Sequence, residues 1–121
     1  MYWLSLLPVA LLAALLIYKR AGLMPTREAV ELLKRGALLI DVRSTPEFSG
    51  EHLPRALHMP LDRIEELVSE RVSDKRLPLL LHCQSGMRSS LAVKKLHRLG
   101  YSRVFNLGSY ARAQQIVKSA L

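Results

Sequence analysis

The segment LPLLLHCQSGMRSSLAVKKL, from Leu77 to Leu96, contains an apolar run, a short polar loop and an amphipathic stretch in immediate succession. The run from Leu77 to His82 is typical of a strand buried on both faces, and Ser89 to Leu99 has the residue spacing of a helix. Gly100 follows at the position where helices commonly end. The sequence therefore predicts a strand, a loop and a helix, with Cys83 at the carboxyl end of the strand.

Apolar runs and amphipathic stretches continue to alternate on both sides of this segment. Further strands are predicted over Ala37 to Val42, Ala56 to Met59 and Val104 to Leu107, and further helices over Thr26 to Arg35, Asp62 to Glu70 and Tyr110 to Ala120. Strands that alternate with helices indicate an α/β fold, with an open parallel sheet and helices on both faces. A chain of 121 residues leaves room for one such domain.

The N-terminal residues differ from the rest of the chain. The run YWLSLLPVALLAALLIY, from Tyr2 to Tyr18, carries no charge, and Lys19 and Arg20 follow it directly. A helix of this length rises about 25 Å, and the aromatic and basic residues at its ends can extend it across a bilayer core of about 30 Å. The sequence predicts one transmembrane anchor over 1–20, a linker over 21–25 and the folded domain over 26–121.

The cations next to this run predict the orientation of the chain. Because Lys19 and Arg20 lie on the C-terminal flank, the positive-inside rule places the domain in the cytoplasm, on a single-pass membrane protein. A cleaved signal peptide, with the domain exported, is the alternative. Signal peptides usually begin with a positively charged region, and here the only positive group before the apolar run is the terminal amine.

The net charge of +8 lies after the apolar run, where it suggests an anionic partner. Basic residues form no run longer than two and are not interleaved with aromatic residues, so we do not expect nucleic acid as a partner. The single cysteine excludes an intramolecular disulfide. With one cysteine and four dispersed histidines, no metal and no other cofactor is expected.

The candidate site is Cys83 with the loop that follows it. A thiolate between a strand end and a helix N-terminus is stabilised by free N–H groups, and Gly86 allows the loop to curl so that these groups point inward. We expect Arg88 to add a positive charge near the sulfur and Ser89 to cap the helix. The alternative is that Cys83 is a small core residue, and His82 is predicted to be structural, on the opposite face of the strand.

Three segments resemble the rhodanese family. The segment CQSGMRS, from Cys83 to Ser89, is similar to its active-site loop of Cys, two variable residues, Gly, one variable residue, Arg and Ser or Thr. The segment LIDVRSTPEFSGEHLPRALHMPL, from Leu39 to Leu61, resembles the first family signature, and GYSRVFNLGSY, from Gly100 to Tyr110, resembles the last. The resemblance extends from Leu23 to Leu121 and implies a rhodanese-like fold.

The resemblance also implies a sulfurtransferase. Cys83 would take a sulfane sulfur from thiosulfate or a persulfide and pass it to cyanide or to an external thiol, either a small thiol or a thioredoxin-like protein. Asp41 and Arg43 match the first signature and would support the loop through hydrogen bonds. The residues expected to bind the anionic donor are those of the loop: Gln84, Ser85, Gly86, Met87, Arg88 and Ser89.

Two other functions stay open on the sequence. One is a non-catalytic interaction module that uses the rhodanese fold to dock a partner at the membrane. The other is phosphatase or arsenate-reductase chemistry, which related folds perform with five residues between Cys and Arg. Here four residues, Gln84 to Met87, separate Cys83 from Arg88, which leaves a smaller loop.

Overall fold

The structure, a computed structural model, describes residues 2–20 and 22–121. Its strands are β1 (Leu38–Asp41), β2 (Leu57–His58), β3 (Leu79–His82) and β4 (Val104–Gly108). Its α-helices are α1 (Leu7–Arg20), α2 (Thr26–Lys34), α3 (Thr45–Gly50), α4 (Ile64–Arg71), α5 (Met87–Arg98) and α6 (Tyr110–Ala120). Short 3-10 segments cover Tyr2–Leu6 and Leu61–Arg63.

Within the described part of the chain, the strands form one four-stranded parallel sheet in the order β2-β1-β3-β4. The two central strands are in register from the pair Leu38–Leu79 to the pair Asp41–His82. Because the strands are parallel, their carboxyl ends meet at one edge of the sheet, where ligands commonly bind in α/β folds. Cys83 directly follows β3 and therefore lies at this edge.

Successive residues of the central strands point into two apolar layers. Ile40, Leu79 and Leu81 pack with residues of α4 and α5 on one face, whereas Leu39 and Leu80 pack with residues of α2 and α6 on the other. Burial on both faces explains why these strands appear in the sequence as continuous apolar runs. The predicted parallel α/β sheet with helices on both faces is confirmed.

The start of α5 differs from the prediction. The helix begins at Met87, two residues earlier than expected, and Gly86 is its N-cap residue with a left-handed φ of 97°. Ser89 is therefore inside the first turn, and its hydroxyl does not cap the helix as predicted. Gly100, with a φ of 95°, follows the end of α5 in the expected left-handed conformation.

The apolar N-terminal run forms a 3-10 segment followed by the 14-residue helix α1. Pro8 lacks an N–H group and is tolerated only in the first turn of an α-helix, which agrees with a start at Leu7. Among residues 2–20 and 22–121, no helix is both long enough and apolar enough to cross a membrane. The transmembrane helix predicted over 1–20 is therefore not supported, and the cytoplasmic location stays a prediction.

The linker predicted over 21–25 begins at Ala21, which lies outside the described residues. Its later part packs along β4. Leu23 forms a parallel bridge with Asn106, and the main-chain N–H of Met24 donates to the Asn106 carbonyl at 2.9 Å. The side chain of Met24 is buried. These two residues therefore extend the sheet by a short stretch beyond β4.

Candidate active site

Cys83 is buried between the sheet and α5, and its sulfur is surrounded by hydrogen-bond donors. Its own N–H donates to the Gly108 carbonyl at 3.2 Å, which fixes the residue against the end of β4. The main-chain N–H of Gly86 donates to Cys83 Sγ at 2.9 Å. The Ser89 hydroxyl lies 3.4 Å from the same sulfur. The loop therefore forms a cradle around the thiol.

This cradle changes the acidity of the thiol. Burial alone raises the pKa of Cys83, because a buried thiolate loses its hydration. The Ser89 hydroxyl and the main-chain N–H groups of Ser89, Gly86 and Ser85 act in the opposite direction, and together they lower the pKa of Cys83 below its ordinary value. A thiol of this kind is ionised to a greater extent at neutral pH and is a candidate nucleophile.

The loop is attached to the segment that follows β4. Ser85 forms an antiparallel bridge with Ser109, and the N–H of Tyr110 donates to the Gln84 carbonyl at 3.3 Å. The side chains of Gln84, Ser85 and Met87 are exposed and form the rim of the loop.

Arg88, which we expected to add a positive charge near the sulfur, forms an ion pair with Glu47. Its guanidinium donates to both carboxylate oxygens of Glu47, at 2.6 and 3.0 Å. The hydrogen bond from Arg88 lowers the pKa of Glu47 to about 2. The positive charge near Cys83 is therefore shared with a carboxylate from α3, and hydrogen bonds within the loop are the main causes of the lowered pKa of the thiol.

Asp41 and Arg43 form a buried ion pair behind the loop. Arg43 Nε lies 3.0 Å from both carboxylate oxygens of Asp41, and Nη2 donates to one of them at 2.8 Å. The same guanidinium donates to the Glu51 carbonyl at 2.7 Å and to the Gln84 side chain at 3.4 Å, and it stacks on the ring of Tyr110 at 4.6 Å. Arg43 therefore links the end of β1 to the first residue of the loop.

His82 lies on the face of β3 opposite Cys83, beside the ring of Tyr110. It is fully buried, and its Nε2 is 3.7 Å from a carboxylate oxygen of Asp41. Among the described residues, this Nε2 is the buried side-chain nitrogen or oxygen atom without a hydrogen-bond partner. Burial lowers the pKa of His82, which favours the neutral imidazole.

The Ser89 hydroxyl contacts a residue that the loop motif does not include. Its oxygen is 2.7 Å from Asn106 Oδ1, and the two side chains are almost completely buried. Asn106 also accepts a hydrogen bond from the N–H of Gly108 at 2.8 Å and donates to the Gly86 carbonyl at 3.2 Å. One amide therefore joins β4, the loop and the first turn of α5.

Across residues 2–20 and 22–121, no three side chains of His, Cys, Asp or Glu are grouped closely enough to hold a metal ion.

A family model described as the rhodanese-like domain matches residues 26–114. The chain belongs to this family. The match covers every residue of the loop and both members of the Asp41–Arg43 pair.

This rhodanese-like domain is similar to several known proteins. It is 31% identical over 111 residues to the uncharacterized protein YqhL of Bacillus subtilis, an alignment that covers 85% of this chain and 86% of that protein. It is 35% identical over 81 residues to the thiosulfate sulfurtransferase GlpE of Coxiella burnetii, with 66% and 74% covered. The solved structure of the human single-domain sulfurtransferase TSTD1 matches with a TM-score of 0.66 and 26% identity, over 78% of this chain and 96% of that one.

Two residues of this rhodanese-like site are not evident from the loop motif. Asn106 is the polar residue in the buried strand VFNLG, and a buried amide needs hydrogen-bond partners, so its position in the sequence was a usable signal. Glu47 precedes Arg88 by 41 residues, and no spacing in the sequence indicates that the two side chains meet. The pair depends on how α3 packs beside the start of α5.

Proposed function

We propose that this rhodanese-like domain is a sulfurtransferase, which moves a sulfane sulfur from thiosulfate or a persulfide to an external thiol or cyanide through a persulfide on Cys83. The observation that carries the proposal is the hydrogen bond of 2.9 Å from the Gly86 N–H to Cys83 Sγ. It belongs to a loop that lowers the pKa of the thiol. The sulfurtransferase names of the relatives GlpE and TSTD1 support the same reaction class.

In the first step, the Cys83 thiolate attacks the outer sulfur of thiosulfate. A new S–S bond forms, the S–S bond of thiosulfate breaks, and sulfite leaves with the electron pair of that bond. The product is a Cys83 persulfide whose terminal sulfur carries the negative charge. Inward N–H groups of the loop and the N-terminal end of α5 stabilise this anion, since both present partial positive charge.

In the second step, an acceptor thiolate attacks the terminal sulfur of the persulfide. The acceptor becomes a persulfide, and Cys83 leaves as the thiolate with which the cycle began. With cyanide as the acceptor, the product is thiocyanate. The acceptor is external, because Cys83 is the only cysteine in the sequence.

The other residues of the site do not form bonds with the transferred sulfur but support the loop or contribute charge. Asp41 and Arg43 support the loop through the side chain of Gln84, and the exposed rim residues are the first to meet a donor. Arg88, paired with Glu47, contributes electrostatically at the mouth of the loop. Phosphatase or arsenate-reductase chemistry is disfavoured by the length of the loop, because four residues separate Cys83 from Arg88 instead of the five found in related folds that perform it.

The experiment uses the purified full-length chain and its Cys83→Ser variant. After incubation with thiosulfate, intact-protein mass spectrometry should show one added sulfur on the wild type and none on C83S. Addition of cyanide should then remove the sulfur and release thiocyanate. If neither thiosulfate nor a small persulfide loads a folded wild type whose Cys83 still reacts with iodoacetamide, the sulfurtransferase proposal is wrong and the interaction module takes its place.

A further inference from the structure

The hydroxyl of Ser89 has one proton and three possible acceptors. Its oxygen lies 2.7 Å from Asn106 Oδ1, 3.2 Å from the Gly86 carbonyl and 3.4 Å from Cys83 Sγ. Ser89 is fully buried, so bulk water does not compete for this proton. The shortest of the three contacts indicates that the proton lies on the line to Asn106 when the thiol is neutral.

The orientation of the Asn106 amide is fixed by two main-chain groups. The Gly108 N–H can only donate, so the atom that it contacts at 2.8 Å is the amide oxygen. The Gly86 carbonyl can only accept, so the atom that contacts it at 3.2 Å is the amide nitrogen. A flipped amide would lose both bonds. The oxygen of Asn106 is therefore held permanently towards the Ser89 hydroxyl.

We propose that Asn106 is a positioning residue of this site: its amide oxygen competes with Cys83 for the single proton of Ser89 and so limits how strongly Ser89 stabilises the sulfur anion. When Cys83 ionises, its sulfur becomes the stronger acceptor, because hydrogen bonds to a charged group exceed those between neutral groups. The hydroxyl can turn towards Sγ only by breaking its bond to Asn106. Stabilisation of the thiolate is reduced by the free energy of that bond.

The competition has a use in sulfur transfer. A thiolate that is stabilised too strongly is a weak nucleophile, and a thiol attacks best when its pKa is near the working pH. Asn106 keeps one donor of the cradle partly occupied, whereas the Gly86 N–H is free to act on the sulfur at all times. The inference rests on the proposed function, since it assigns a role in tuning the nucleophile.

The test measures the ionisation of Cys83 directly. Because the chain has one cysteine, its thiolate fraction can be followed by ultraviolet absorbance as the pH is raised, with C83S as the blank. In Asn106→Ala the proton of Ser89 is free to turn to the sulfur, so the thiolate-to-thiol ratio at a fixed pH should rise about three- to tenfold. The titration measures the ionisation of Cys83 without any sulfur transfer. It therefore tests the role of Asn106 even if thiosulfate does not load the enzyme.

The decisive control is the same substitution in a Ser89→Ala background. Asn106 acts through Ser89, so N106A should have no effect on the thiolate ratio when the hydroxyl is absent. A merely structural role for Asn106 predicts the opposite pattern: loss of the cradle would lower the thiolate ratio in both backgrounds. A fall in the ratio in N106A, or an equal change with and without Ser89, overturns the proposal.

A second substitution keeps the test usable if N106A does not fold. Asn106→Asp has nearly the same shape and is a stronger acceptor for the Ser89 proton, so it should lower the thiolate ratio. It also loses the bond from the amide nitrogen to the Gly86 carbonyl, an effect that does not depend on Ser89. Part of that effect is direct repulsion between two negative charges and persists in Ser89→Ala. The part that acts through the Ser89 hydroxyl should disappear in Ser89→Ala. If Asn106→Asp lowers the thiolate ratio equally in both backgrounds, the proposed role of Asn106 is wrong.

Discussion

Gly86 lies so close to Gly108 that a Cβ atom added to Gly86 would be 3.3 Å from the Cα atom of Gly108. Gly86 also has a left-handed φ of 97°, which side chains disfavour, and its N–H donates to Cys83 Sγ. Gly86 thus combines a left-handed conformation, close packing against Gly108 and a hydrogen bond to the sulfur. The turn between Cys83 and α5 depends on the absence of a side chain there.

Gly86→Ala should therefore impair both folding and chemistry. We expect the free energy of unfolding to fall by about 1–3 kcal/mol, and the rate of sulfur loading from thiosulfate to fall about tenfold or more, because the donor to Sγ moves. Urea unfolding and intact mass measure the two effects. Gly36→Ala is the control, since Gly36 has a φ of 98° with no atom within 4 Å of the added Cβ. Equal loading rates in G86A and G36A would contradict the prediction.

The buried imidazole of His82 predicts a loss of stability in acid. Burial lowers the pKa of His82 below 6.5, so the folded state binds fewer protons than the unfolded state, and stability falls as the pH drops below about 6.5. His82→Phe should remove this dependence and gain stability relative to wild type between pH 7 and 5. Urea unfolding at several pH values measures it, with the exposed His52→Phe as control. Parallel curves for wild type and H82F would refute this account.

The Arg88–Glu47 pair predicts a second pH effect, in a lower range. Glu47 has its pKa lowered from 4.5 to about 2, so its contribution to stability is complete above pH 4.5 and is lost as the pH falls through about 2. Glu47→Gln should reduce the free energy of unfolding at neutral pH by at most about 1 kcal/mol, because the pair is partly exposed. The gap between wild type and E47Q should close towards pH 2.

The matched control for Glu47 is Glu31→Gln. Glu31 on α2 forms an exposed pair with Arg35, the residue after the helix, at 3.8 Å, which is longer than the contacts of Glu47 with Arg88. We expect E31Q to change the unfolding free energy little at any pH. A gap between wild type and E47Q that stays constant from neutral pH to pH 2 would show that the ion pair does not stabilise the fold.

Arg43→Lys tests the buried pair behind the loop. Lysine keeps the charge, but it cannot reproduce the planar fork that contacts both oxygens of Asp41 and the Glu51 carbonyl. We expect a loss of about 2 kcal/mol in unfolding free energy, since Asp41 would remain buried with fewer hydrogen bonds. Arg35→Lys, at the exposed residue that directly follows α2, is the control. Equal stability of R43K and R35K would contradict the prediction.

Much of this arrangement follows from local sequence. The apolar run before Cys83 and the helical spacing after it predict β3 and α5, because strand burial and helix periodicity are properties of neighbouring residues. Gly86 could be recognised as the residue that bends the loop, since few other residues adopt a left-handed conformation. The position of the thiol at the sheet edge then follows from the parallel topology.

Contacts between distant segments could not be predicted in this way. Ser89 was expected to cap α5, but the helix starts at Met87 and turns the hydroxyl towards Asn106, which is 17 residues away in the sequence. Arg88 was expected to add a positive charge near the sulfur, but its pairing with Glu47, which comes from another helix, was not predicted. Such contacts depend on how the elements pack, which residue spacing does not encode.

The short stretch of main chain formed by Leu23 and Met24 has a practical consequence for any trimmed version of this protein. It covers the free side of β4, the last strand of the sheet, where Met24 satisfies the carbonyl of Asn106. A fragment cut at Thr26 would leave that side bare, and bare strand edges recruit strands from neighbouring molecules. Such a fragment should be prone to self-association. The smallest fragment that resists self-association should therefore begin at Leu23.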